Sequence, residues 1–116
     1  MQDRTFVNQI CASLPGAMLS HPFSPAHDCW KLGEKMFAII GDTGHAVSVK
    51  TDHVETAQLL IETGRAQRAA YFHASWVQLP FGLLEDEELR DRIAESYRLI
   101  RSALPKKLQA GLAPLP

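Results

Sequence analysis

Three side chains able to ligate a metal or act as nucleophiles, His21, His27 and Cys29, lie close together in the chain. A zinc site needs three or four ligands converging at about 2.0–2.3 Å. No C-x-x-C pair and no H-E-x-x-H helix accompanies them, so neither a metal nor another cofactor is expected. His45, His53 and His73 read as surface residues without an identifiable partner for acid–base work. The serines lack a histidine–acid constellation. G-x-S-x-G, the P-loop and the dinucleotide-binding glycine fingerprint do not occur. The acidic run Glu85-Asp86-Glu87-Glu88 suits the first turn of a helix better than a cation, because the helix dipole favours carboxylates there. These readings point to a binding module and not an enzyme.

Two groups of residues have the chemistry of binding. Lys31, Lys35 and Lys50 fall on neighbouring strands or their turn, with Arg65 and Arg68 on a following loop. Clustered, they would contact phosphates. Trp30 and Trp76 lie on short strands, where they either pack or offer flat surfaces for a ligand.

The elements that must position these groups start from the stretch 29–50, CWKLGEKMFAIIGDTGHAVSVK. Residues 36–40 are apolar on both alternating faces, as in a central strand. Gly41-Asp42-Thr43-Gly44 reads as a hairpin turn. Val47 and Val49 then alternate with Ala46, Ser48 and Lys50. Gly33-Glu34-Lys35 is a second turn, preceded by a short strand over 29–32.

Upstream, Asp3 reads as an N-cap, and Phe6, Val7, Ile10, Cys11 and Leu14 form one helical stripe ended by Pro15-Gly16. Cys11 therefore reads as a small buried hydrophobe. Residues 18–23 could form an edge strand, since Pro22 excludes a central one. Downstream, Asp52-His53-Val54-Glu55 has the form of a capping box, with Asp52 as the cap and Gly64 as the stop. Residues 65–70 are either a loop or a loop entering a strand. Tyr71-Phe72 and residues 76–79 read as short strands around a His73-Ala74-Ser75 turn. Leu89, Ile93, Tyr97, Ile100 and Leu104 mark a helix across 84–104, ended by Pro105. The order α-β(3-4)-α-β(2)-α predicts an α+β domain: an antiparallel sheet with helices mainly on one face and the other face more open.

Composition narrows the function. The chain has 116 residues, 46% of them hydrophobic, and a net charge of -1. That suffices for one core and a monomer, and lacks the basic excess usual for a nucleic-acid binder. No stretch approaches the ~18 apolar residues of a membrane span. The N-terminus carries no signal-like apolar run, so a cytoplasmic setting with reduced thiols and no membrane partner is expected.

Several segments together resemble the MmcQ/YjbR family: 11–17 (CASLPGA), 30–38 (WKLGEKMFA), 49–52 (VKTD), Trp76-Val77, Ser96-Tyr97 and 104–107 (LPKK). The resemblance spans about residues 5 to 107, and the chain departs from the family pattern at His21-Pro22-Phe23-Ser24-Pro25. It implies one CyaY-like domain over 1–107; the late prolines and glycine make 108–116 a loosely docked or frayed tail. It also implies double-wing hairpins that bind DNA, for which Lys31, Lys35, Lys50, Arg65 and Arg68 are the candidates. The small net charge makes any such binding weak. The alternative is a small molecule or protein bound on the open sheet face around Trp30 and Trp76.

Overall fold

Asp3 ends an extended segment and accepts a hydrogen bond from the Phe6 N–H, which starts helix α1 (Arg4–Ala12). The computed structural model describes residues 1–115. After α1 the chain forms strands β1 (Met18–Ser20), β2 (Asp28–Leu32), β3 (Lys35–Ile40) and β4 (Ala46–Lys50). Helix α2 (Val54–Glu62), strands β5 (Gln67–Arg68) and β6 (Trp76–Pro80), helix α3 (Asp86–Ser102) and the short helix α4 (Lys106–Ala110) follow. The strands make one six-stranded sheet, ordered β1-β2-β3-β4-β6-β5, with every neighbouring pair antiparallel. This is the expected α+β architecture.

The two sheet faces differ in what covers them. Trp30, Ala38, Val49 and Val77 share one cross-strand row, and Ile40, Val47 and Leu79 another. All of them join the principal core with Val7 and Cys11 of α1, Ala57 and Leu60 of α2, and Leu89, Ile93, Tyr97 and Ile100 of α3. The periodicity of α1 and α3 therefore turned the right stripes inward.

A bulge interrupts the pairing of β2 with β3. Trp30 opposes Ala38 while Lys31 opposes Met36, leaving Phe37 as the extra residue. Phe37 is thereby released from strict alternation and joins Ala38 in the helix-side core. Its ring meets Tyr97 edge to face, with centroids 5.5 Å apart at 86°. The Tyr97 hydroxyl donates to the Pro15 carbonyl (2.6 Å), closing the turn after α1 against α3.

Three local expectations change. His53, not Asp52, is the N-cap of α2. Thr51 is pinned to the Ser75 carbonyl through its N–H (2.8 Å), so the chain stays extended one residue longer. Asp52 lies one residue before the cap. Tyr71-Phe72 is a turn and not a strand, with Tyr71 at φ 71. In the tail, α4 forms after Pro105, and Leu112 and Leu115 pack against the core. Pro116, the end of that tail, lies outside the described residues.

Candidate binding face

On the sheet face away from α1 and α3, cross-strand partners place Cys29, Ile39, Ser48, Gln78 and Gln67 in one row. A second row pairs Met18 with Lys31 and Lys31 with Met36, and Lys50 with Trp76 further across. This face is less open than expected. The segment 69–75 folds over it and buries Ala69 and Ser75. Ile39 stays 7% exposed although no helix covers it.

Two clefts flank that segment. One, of about 360 Å³, runs between α2 and the segment, lined by Val54, Ile61, Arg68, Phe72, His73 and Trp76 among others. The second, of about 260 Å³, lies over the sheet between His27, Ile39, Ser48, Gln78 and the same Arg68 and Phe72. Both approach the size of small-molecule sites. Phe72 stacks on Trp76, with centroids 4.8 Å apart and rings inclined by 20°.

A polar relay fixes the donor pattern beside the first cleft. Lys50 Nζ donates to Ser75 Oγ (2.9 Å). His73 Nδ1 accepts from the Ser75 N–H (3.1 Å) and lies 2.9 Å from Ser75 Oγ. An accepting Nδ1 puts the proton of the neutral ring on Nε2, making that nitrogen a donor. No aspartate or glutamate lines either cleft. Among the described residues Arg68 forms no ion pair.

The residues singled out in the sequence are only partly brought together. Trp30 and Trp76 do not share a face. Trp30 points toward the helices, donates its indole N–H to Asn8 Oδ1 (2.9 Å) and is 6% exposed. The parity of β2 puts it in the same row as Ala38, which removes it from the ligand face. Lys31 and Lys50 do share the non-helical face. Lys35 does not: it pairs with core-facing Leu32 and stands exposed at the end of the β2–β3 hairpin. Arg65 is drawn the other way, into an ion pair with Glu88 of α3. Arg68 pairs with Val77 in the core-facing row but stands exposed at the sheet edge, and it alone of the five basic candidates lines the clefts.

His21, His27 and Cys29 do not converge. His21 Nδ1 donates to the His27 carbonyl (2.7 Å), and His27 Nε2 pairs with Asp42. Cys29 packs in the sheet, where burial pushes its thiol pKa up. Among the described residues no group of three or more His, Cys, Asp or Glu could hold a metal ion. Asp28 is the most heavily partnered carboxylate. Burial alone would raise its pKa, but hydrogen bonds from Asn8 and Arg4, with the charges of Arg4 and His21, together hold it below the ordinary value. Its role is structural, since Arg4 Nη1 donates to it (2.7 Å) while Arg4 Nη2 donates to the Gly41 carbonyl (2.7 Å), tying α1 to two strand ends.

Phe72, His73 and the α2 side chains of the larger cleft were not among the sequence candidates. The available signal was Phe72 four residues before Trp76 across a His-Ala-Ser turn, which reads equally well as a hairpin.

Among known proteins, the YjbR family model matches residues 12–99. The fold is similar to the crystal structure of Deinococcus radiodurans protein DR2400, which carries the domain DUF419. That likeness has a TM-score of 0.78 at 20% identity and covers 90% of this chain and 83% of that one. No curated protein matches. The family match spans most of the chain, including the bulged β3, the segment over the sheet and the Ser96-Tyr97 pair of α3: the chain belongs to the YjbR family.

Proposed function

We propose that this protein is a binding module, not an enzyme, and that it takes a small molecule on the sheet face away from α1 and α3. The observation that carries this reading is the segment 69–75 standing over that face, with a cleft on each side and Arg68 and Phe72 lining both. Concave sites that combine aromatic and aliphatic walls with a few placed polar groups are the usual form of a small-molecule site. Beside the larger cleft Ser75, His73 and Lys50 are hydrogen-bonded together, but no carboxylate lines the cleft to orient the imidazole, and we read the relay as part of the donor pattern of a binding site. Shift mapping on isotope-labelled protein with a panel of small metabolites tests this. Perturbations should centre on Phe72, Trp76 and Arg68. If only the β1–β3 end of the sheet responds, the reading fails.

A second reading, weak DNA binding, is favoured by one observation. Lys31 and Lys50 face the same side of the sheet, and Lys35 stands exposed at the hairpin end beside Lys31. This is the hairpin arrangement that a winged contact with phosphates would use. Against it, Lys50 already bonds Ser75, Arg65 already pairs with Glu88, and the net charge is -1.

A further inference from the structure

We infer that the cleft between α2 and the segment 69–75 selects small carboxylate- or phosphate-bearing ligands built on a flat ring. This inference rests on the small-molecule reading above and names the ligand class. Charge is the first argument. Arg68, which has no ion pair among the described residues, lines the cleft, and no carboxylate does. A guanidinium fork matches the paired oxygens of a carboxylate or phosphate.

Proton placement is the second argument. His73 Nδ1 is taken up as an acceptor by Ser75, so the nitrogen left for a ligand is the protonated Nε2. Ser75 Oγ in turn accepts from the Lys50 ammonium, which favours the hydroxyl donating onward to Nδ1 and holds that tautomer. Arg68 and His73 both line the cleft, so its walls carry a cation and an N–H donor, a pattern an anion satisfies and a cationic ligand does not.

Shape is the third argument. Phe72 lies on Trp76 at 20°, a flat aromatic wall, and Val54 and Ile61 of α2 line the same cleft. A planar ring slides between such surfaces with little loss of contact.

The test uses 2-naphthoate, its neutral isostere 2-naphthamide, and acetate, each titrated into isotope-labelled protein. The wild type should bind 2-naphthoate about tenfold more tightly than the amide, the order expected for one charge-assisted pair. Shifts should centre on the Trp76 indole and on Arg68, and acetate should shift them far less than 2-naphthoate. Arg68→Gln should erase the preference for naphthoate. Arg68 is exposed on a two-residue edge strand, and an unchanged spectrum elsewhere confirms that the variant folds. Equal binding of naphthoate and naphthamide at this cleft would overturn the anion class while leaving the small-molecule reading in place. An Arg68→Gln variant that keeps the preference would overturn it too. No response at the cleft to either naphthyl compound at millimolar concentration would overturn both.

Discussion

The Ser96 hydroxyl of α3 donates to the Phe37 carbonyl at 2.6 Å, inside the core at the point where β3 bulges. The same oxygen accepts from the Lys50 N–H at 2.9 Å. The last paired residues here are Ala38 and Val49, so Ser96 takes over for a ladder that has run out. Ser96→Ala leaves a buried carbonyl and an amide without partners. It should cost about 1–3 kcal/mol, read as a lower urea midpoint at unchanged slope.

Ile39 and Ile40 are neighbours on β3 but face opposite ways. Ile40 is fully buried under the helices, whereas Ile39 lines the smaller cleft beside segment 69–75. Ile40→Ala should cost about 3–4 kcal/mol and Ile39→Ala about 2, because a site that lines a cleft relaxes more readily than a close-packed core. Equal losses in urea titrations would mean that segment 69–75 packs as tightly as a helix.

Cys11 should resist thiol reagents under native conditions and titrate only in strong alkali. Burial raises its pKa from 9.0 to about 12. A raised folded value means that the unfolded chain releases the proton first. Stability is complete below about pH 9 and falls as pH rises toward 12, by up to about 1.4 kcal/mol per pH unit from this group. Cys11→Ala should remove most of that alkaline slope in denaturation curves measured across the range.

Asp28 governs the acid side. Its folded pKa lies below the ordinary 3.8, because the Asn8 and Arg4 interactions outweigh the desolvation that opposes them. Its contribution is present above that ordinary value and is lost as pH falls through the lowered one. Asp28→Asn should lower stability near neutral pH and flatten the acid limb of the stability profile, measurable by thermal unfolding from pH 2 to 7 on the order of the usual acid range.

For DNA, fluorescence anisotropy of a labelled duplex at several salt concentrations is the discriminating measurement. Weak binding, in the ~10⁻⁴ to 10⁻⁶ M range, should fall steeply with salt if Lys31 and Lys35 contact phosphates. Replacing either by alanine should lower the salt slope by about one, evenly across sequences. Arg65→Ala should change nothing, since that side chain is held by Glu88 on the far side. Absence of binding at low salt would leave the small-molecule reading alone.

The sequence by itself determined the principal helices and strands and the family. Helical stripes such as Val7-Cys11-Leu14 and Leu89-Ile93-Tyr97 are local patterns whose period declares the buried side, and both packed as read. The capping aspartate Asp3, the Gly33 hairpin and the edge position of β1 are equally local, set by backbone geometry over a few residues. Only the tertiary structure decided the faces and the clefts. Trp30 and Trp76 sit on similar short strands, and what separates them is register, fixed by pairing with strands far along the chain. The Phe37 bulge shifts the alternation of β3, and no periodicity count reveals such an insertion. Arg65 and Arg68 stand three residues apart; one finds Glu88 and the other a cleft, because charge partners are chosen by distance in space. Segment 69–75 mimics a hairpin in composition. Its turn over the sheet is held by Trp76, Thr51 and Ser75, contacts that exist only once the strands have assembled.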